Sequence, residues 1–240
     1  MRLFKNPGRC AGLLYLLLMG APLRLVYIPA KLFVPGDAAA TTNNIATHET
    51  LFRLGIALDL FSSVVVIFLA LAFYDLFKKV NRKLAVLVVI LGGILPSAIN
   101  FANVGSDAMA LTLARGDGGL LRANVLAAFD QPQREALVML FLHLHNQIIN
   151  AAQTFWGLWL LPLAILIWRS RFLPRFVAVW LGVNGFAYMA MSFTSLLLPQ
   201  YDGTVSKYLA PALTGEMVLM LWLLIRGVNM KEKPVMSNEG

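Results

Sequence analysis

Five polar side chains recur at helical spacing within an apolar stretch of this 240-residue chain. They are His143, Asn146, Gln147, Asn150 and Gln153, at positions i, i+3, i+4, i+7 and i+10. At about 100° per residue, this spacing places all five on one face of an α-helix. Hydrocarbon offers imidazole and amide groups no hydrogen bonds, so this polar stripe must face protein or a water-filled cavity. The stripe therefore predicts a binding site beside this helix.

Two histidines in this stretch could bind a metal or transfer protons. On a helix, residues two apart point about 160° away from each other, so His143 and His145 cannot easily share one ion. Neither a cysteine cluster nor an HExxH spacing supplies other ligands, and we therefore predict no metal site and name no cofactor. Acid–base chemistry needs only an imidazole near a carboxylate. The candidate catalytic residues are His145, Glu216 and Asp59.

The composition identifies the class of protein. Hydrophobic residues make up 59% of the chain and charged residues 13%, with a mean hydropathy of +0.72. Soluble domains are about 45–50% apolar and about 25% charged, so these values indicate a polytopic membrane protein. The net charge of +8 comes from short basic clusters between apolar runs, which favours a lipid bilayer as partner over nucleic acid.

Six apolar runs are long enough to cross about 30 Å of hydrocarbon. They extend over residues 10–33, 50–77, 84–113, 135–168, 175–198 and 208–228, and a polar tail follows at 229–240. Most basic residues lie near the termini and in every second connector, which places both termini in the cytoplasm. Asp130, with Gln133 three residues later, predicts the start of the fourth helix. We therefore predict an all-α fold: one domain, residues 1–228, forming six transmembrane helices in a bacterial inner membrane.

Ionisable and amide side chains concentrate in the outer halves of these predicted spans. A charge at bilayer depth costs at least about 2.5 kcal/mol unless it is paired or hydrated, so several at one depth predict a shared pocket. Arg24 and Arg53 are the expected cations, and Asp59 and Glu216 their expected partners. Intramembrane polar residues also join helices to each other, so a structural role stays open.

Several stretches of the chain resemble the domain-of-unknown-function 4386 family of bacterial six-span membrane proteins. The stretches are Arg9–Tyr15, Val34–Thr41, Glu49–Gly55, Leu142–His145, Phe155–Leu158 and Ser170–Arg175. The resemblance covers nearly the whole chain and implies an integral membrane protein without an established activity. Arg53, Asp59, His145 and Glu216 look like the positions that the family pattern emphasises.

Three functions fit these observations. The leading hypothesis is a membrane protein that binds a small molecule or lipid, with a polar or anionic head group near Arg24 and Arg53. The expected ligand-binding residues are Arg24, Arg53, Asp59, Asn100, His143, His145, Asn146, Asn150 and Glu216. The second hypothesis is an intramembrane enzyme using His145 and Glu216 on a lipid or quinone-like substrate. The third is a structural or accessory subunit, in a homo-oligomer or with another membrane-complex partner.

Overall fold

A computed structural model describes residues 6–19, 27–116 and 123–228, and every regular element within these ranges is helical. In chain order the helices are α1 (Pro7–Met19), α2 (Ile28–Leu32), α3 (Ala38–Thr47), α4 (Glu49–Phe77), α5 (Arg82–Arg115), α6 (Ala123–Leu126), α7 (Gln131–Ser170), α8 (Arg175–Leu197) and α9 (Pro199–Ile225). A π-helical segment, Val89–Ile94, lies within α5, and α9 contains two 3-10 segments. The described residues therefore confirm the all-α prediction.

Five helices are long and apolar enough to cross a membrane, namely α4, α5, α7, α8 and α9. They correspond to the last five predicted spans, and the protein is a multi-pass membrane protein by these criteria. Helix α1 has 13 residues, so it is about 20 Å long and shorter than a hydrocarbon core of about 30 Å. The first predicted span continues through residues 20–26, which lie outside the described residues, as does the predicted tail at 229–240. Six spans and cytoplasmic termini therefore stay predictions.

Helix boundaries follow local capping as well as hydropathy. Asp130 Oδ1 accepts from the Gln133 backbone N at 2.9 Å, and Gln133 Oε1 accepts from the Asp130 backbone N at 3.0 Å. This reciprocal pair satisfies two backbone donors at the start of α7 and confirms the predicted helix start. In the predicted connector 34–49, Asp37 Oδ1 accepts from Ala40 N at 2.8 Å and begins α3. Polar segments that hydropathy assigns to connectors are therefore partly helical.

Contacts group the chain into two compact units. The first unit is built from described residues of 1–18, 64–97 and 150–240, and the second from those of 19–63 and 98–149. Helices α4, α5 and α7 each contribute residues to both units. The single-domain prediction for residues 1–228 stays a prediction.

Aromatic packing forms the interior of the first unit. The ring of Tyr15 lies 6.1 Å from that of Phe73 and 6.2 Å from that of Trp159, and Phe73 lies 6.1 Å from Trp159. These three side chains come from α1, α4 and α7 and are almost completely buried. Ring centroids at this spacing are typical of favourable aromatic pairs. The three helices are therefore joined at one level by their rings.

Aliphatic packing forms the interior of the second unit. Its buried side chains come from α2, α3, α4, α5, α6 and α7 and include Ile28, Leu32, Ile45, Phe52, Ala110, Leu111, Val138 and Leu142.

Many other large apolar side chains are exposed, among them Phe68, Phe186 and Ile225. Exposed apolar surface of this extent is expected of helices that face lipid.

Close approach of α7 to α8 depends on two glycines in the first unit. A Cβ atom at Gly157 would lie 2.4 Å from the carbonyl oxygen of Gly185, and one at Gly185 would lie 2.8 Å from that of Gly157. Small residues allow backbones of membrane helices to approach this closely. The pair therefore sets the separation of α7 and α8 at this level.

The substitution Gly157→Ala is expected to destabilise the protein by about 1–3 kcal/mol, because the added methyl group meets backbone that cannot rotate away. Thermal unfolding in mild detergent measures the effect. The control is Gly182→Ala on α8, where an added Cβ has nothing within 4 Å. We expect no loss at Gly182, since alanine favours helix over glycine. Equal melting temperatures for the two variants would contradict this account of the α7–α8 contact.

Candidate functional site

Three ionisable side chains from three helices meet in the second unit. Asp59 lies on α4, Asp107 on α5 and His145 on α7, and their ligand atoms all lie within 4.8 Å of one another. The Nδ1 atom of His145 lies 3.2 Å from Oδ1 of Asp107, and both side chains are almost fully buried. We call Asp59, Asp107 and His145 the acid–histidine cluster. It brings together two of the three candidate catalytic residues predicted from the sequence.

Hydrogen bonds from α5 hold the Asp59 segment of α4 in place. The Nδ2 atom of Asn100 donates to the backbone oxygen of Asp59 at 3.0 Å and to Oγ of Ser63 at 2.6 Å. The Ser63 hydroxyl also donates to the Asp59 backbone oxygen, at 2.7 Å. Asn100 was predicted as a ligand-binding residue, and the structure places its amide on the backbone beside the cluster. Its described contacts therefore position Asp59.

Asn103 connects α5 to the backbone of the cluster histidine. Its side chain is 0% exposed, and its Nδ2 atom donates to the backbone oxygen of His145 at 3.2 Å. Its Oδ1 atom is buried without a hydrogen-bond partner in the part of the chain that the structure describes. Leaving a buried acceptor unsatisfied costs about 1–3 kcal/mol. The Oδ1 atom of Asn103, about one helical turn from Asp107, can therefore accept a further hydrogen bond.

The cluster has two chemical capacities. Imidazole and carboxylate are ligands of Zn²⁺ and of other divalent transition metals, and three protein ligands with an open position are typical of catalytic sites. The cluster could therefore hold such an ion, although the sequence prediction considered only His143 with His145. Alternatively, Asp107 could orient the imidazole of His145 for proton transfer. The expected cation Arg24 lies outside the described residues.

Glu216 belongs to a second polar cluster, in the first unit. The hydroxyl of Tyr15 donates to Oε1 of Glu216, and Tyr188 also forms a side-chain hydrogen bond with this carboxyl group. The backbone N of Glu216 donates to Oδ1 of Asn184 at 3.0 Å. Gly215 allows this approach, because a Cβ atom there would lie 2.9 Å from Asn184 Oδ1. We call Tyr15, Asn184, Tyr188 and Glu216 the tyrosine–glutamate cluster.

The predicted pairing of His145 with Glu216 stays a prediction. The structure gives each residue polar neighbours within its own unit: Asp107 for His145, and Tyr15 and Tyr188 for Glu216. Glu216 is 7% exposed and receives hydrogen bonds from both hydroxyl groups. This arrangement is typical of a buried carboxyl group that joins helices.

Arg53 lies on the surface of the second unit. Its Nε atom lies 2.6 Å from Oε1 of Glu49, and its side chain is 57% exposed. Arg115 Nη1 contacts the same carboxylate oxygen at 2.6 Å. Arg53 therefore pairs with Glu49, one helical turn away, where the sequence led us to expect Asp59.

The polar stripe on α7 has members in both units. In the second unit, His143 and Asn146 are exposed, and Gln147 Nε2 lies 3.2 Å from His143 Nε2. In the first unit, Asn150 Nδ2 donates to Oγ of Ser195 on α8 at 2.7 Å. Gln153 Nε2 donates to Asn150 Oδ1 at 3.4 Å. The stripe therefore combines surface groups with a hydrogen-bonded contact between α7 and α8.

Several residues of these clusters were absent from the predicted site. Asp107 and its neighbour Asn103 are polar residues of the third predicted span that the predicted site does not include. Their spacing with Asn100, at i, i+3 and i+7, is a one-face signal that could have included them. For Tyr15 the sequence offers no comparable signal, since it stands alone in an apolar run, whereas Asn184 and Tyr188, at i and i+4, share one helix face.

One family model matches the chain, over residues 10–227. Its description is "Domain of unknown function (DUF4386)". The match covers most of the chain and confirms the resemblance that the short sequence stretches indicate. No curated protein and no solved structure matches the chain.

Proposed function

We propose a function from the site itself, since the chain belongs to the DUF4386 family, whose function is described as unknown. The protein binds a small molecule, or the polar part of a lipid, at the acid–histidine cluster. Its setting is a bacterial inner membrane, crossed six times with both termini in the cytoplasm. The distribution of basic residues between the apolar runs supports this orientation.

The convergence of Asp59, Asp107 and His145 is the observation that carries the proposal. Each comes from a different membrane-spanning helix, and their ligand atoms approach within 4.8 Å. Two carboxylates this close repel each other unless a proton or a positive charge shares the site, and the single imidazole of the cluster can carry at most one such charge. The cluster therefore favours a ligand that brings hydrogen-bond donors, a positive charge or a divalent metal ion. An anionic head group, as first expected from the two arginines, would depend on Arg24, because Arg53 is exposed beside Glu49.

Mass spectrometry and elemental analysis of the full chain, extracted gently from its native membrane, test this proposal. We expect a stoichiometric small molecule, lipid or metal in the wild type and its loss from Asp107→Asn, which keeps the shape of the side chain. The control is His48→Ala, an exposed imidazole in the same unit, which should retain the bound species. Equal occupancy in the wild type and Asp107→Asn would contradict the proposal.

An intramembrane enzyme is the second candidate. The contact of 3.2 Å between His145 Nδ1 and Asp107 Oδ1 favours it, because a carboxylate at this distance can orient an imidazole as a general base. In this version Asp107 takes the role first given to Glu216. Turnover of a lipid or quinone-like substrate that falls by about 10²–10⁴-fold in His145→Ala, with the fold retained, would select the enzyme over the binding protein.

A further inference from the structure

A cavity of about 710 Å³ lies in the first unit, at the ends of three membrane-spanning helices. Its wall is formed by the turn 171–175 between α7 and α8 and by residues around the end of α9. Three of the eight lining residues are Arg171, Arg175 and Arg226, and none of the eight is acidic. The cavity wall therefore carries three positive charges, and it shares no residue with either polar cluster.

The turn that carries two of these arginines is rigidly held. The hydroxyl of Ser170 donates to the backbone oxygen of Ile167 at 3.0 Å and accepts from the backbone N of Phe172 at 3.2 Å. Phe172 is buried and stacks on Phe77 with ring centroids 6.1 Å apart. The turn is therefore fixed before any ligand binds, which lowers the entropy cost of binding.

Arg171 stands in a backbone conformation that costs energy. Its φ angle is 55°, and within the described part of the chain no other non-glycine residue has a positive φ angle. A left-handed conformation is disfavoured for residues with a Cβ atom, and glycine would avoid this cost. Strained residues of this kind cluster at sites with a function. Arginine at this position therefore carries an energy cost that a role for its side chain would explain.

Two tryptophans orient the other arginines. The guanidinium of Arg175 lies 5.0 Å from the ring centre of Trp168, and that of Arg226 lies 6.0 Å from the ring centre of Trp222. These distances are typical of cation–π contacts. Tryptophan and arginine at the ends of spanning helices are characteristic of the level of lipid head groups. The guanidinium groups are therefore preorganised at the depth where phosphate groups lie.

From this geometry we propose that the arginine cavity binds a phosphate group. Guanidinium groups match phosphate oxygens with paired hydrogen bonds and keep their charge at all physiological pH values. The source of the phosphate is either the head group of an anionic phospholipid or free inorganic phosphate. The inference is independent of the ligand at the acid–histidine cluster, because it uses other residues.

Binding to the full-length protein in lipid nanodiscs tests this inference. One arm adds phosphatidylglycerol to a background of digalactosyldiacylglycerol, a neutral lipid without phosphate, and the other adds inorganic phosphate to nanodiscs of that lipid alone. Native mass spectrometry and Trp fluorescence report binding. Saturable binding in the first arm alone identifies a lipid head group, and saturable binding in the second identifies free phosphate. Absence of saturable binding in both arms would overturn the proposal.

Two double variants distinguish binding at the cavity from a general effect of surface charge. Each basic residue near an anionic surface contributes about fivefold in binding, so Arg175→Gln/Arg226→Gln should bind about 25-fold more weakly. The control Lys79→Gln/Lys207→Gln removes the same charge from exposed positions in the same unit. We expect the control to bind no more than about fivefold more weakly, because only Lys79 lies in a connector predicted on the same side as the cavity. Equal weakening of phosphate binding in both double variants would attribute the loss to net charge alone and would overturn the proposed site.

A third variant excludes misfolding as the cause of lost binding. Arg171→Gly removes a cavity arginine and also relieves the positive φ, so the lipid-free melting temperature should not fall. We expect about fivefold weaker phosphate binding from this variant. Wild-type binding by Arg171→Gly together with wild-type binding by the double arginine variant would overturn the proposal.

Discussion

Replacement of Glu216 by alanine is expected to lower the free energy of unfolding by about 3–5 kcal/mol. The change leaves the hydroxyls of Tyr15, which is buried, and of Tyr188, which is half-buried, without their carboxylate partner, and it opens a cavity where α9 meets them. For a chain of this length, about 1 kcal/mol corresponds to about 2–4 °C in melting temperature. Thermal unfolding in mild detergent should therefore show a fall of about 6–20 °C.

Two controls make the Glu216 result specific. Glu216→Gln keeps an acceptor oxygen for the tyrosine hydroxyls and should lose less than half as much stability. Glu135→Ala makes the same truncation at an exposed contact with Gln131 on α7 and should stay within about 1 kcal/mol of the wild type. A Glu216→Ala variant as stable as Glu135→Ala would show that the tyrosine–glutamate cluster does not hold these helices together.

His145→Ala is expected to weaken ligand binding by about 30- to 5,000-fold, which corresponds to about 2–5 kcal/mol. The imidazole lies in the acid–histidine cluster, and its loss leaves the buried carboxylate of Asp107 without this neighbour. Titration of stripped protein with the species identified by mass spectrometry measures the effect. His48→Ala is the matched control in the same unit, because that imidazole is exposed. Affinities that fall equally in the two variants would contradict a site at His145.

Much of the helical architecture follows from local chemistry in the sequence. The run 50–77 becomes α4 (Glu49–Phe77), because an apolar segment of this length can satisfy its backbone in lipid only as a helix. The start of α7 follows from Asp130 and Gln133, whose side chains cap each other's backbone. Both features depend only on residues that are close in sequence, so they can be predicted without knowledge of the tertiary structure.

The depth of polar groups is harder to read from hydropathy. Helix α7 has 40 residues and is about 60 Å long, about twice the thickness of the hydrocarbon core. About 20 residues counted back from Ser170 already fill that thickness and reach Ala151. If the hydrocarbon ends near Ser170, His143 and Asn146 lie beyond it. The periodicity of a stripe gives its face on the helix but not its height in the bilayer.

Partner choice among charged groups was the least predictable feature. Arg53 contacts Glu49 because residues four apart are neighbours on any helix, so a local partner is available without a buried one. Asp107 contacts His145 across 38 positions of sequence, and nothing in either segment specifies that pairing. The sequence therefore identified His145 and Asp59 as site candidates, while the third member of the cluster required the packing of α4, α5 and α7.

The central claim is that the acid–histidine cluster binds a ligand rather than only joining helices. Its most direct test is thermal unfolding of stripped wild-type protein and stripped Asp107→Asn, each with and without the molecules released from denatured wild type. A ligand at 100 times its dissociation constant stabilises a protein by about 2.7 kcal/mol. We predict that the wild type recovers a higher melting temperature on addition and that Asp107→Asn does not respond. Equal responses of the two proteins, or no response of the wild type, would contradict the claim.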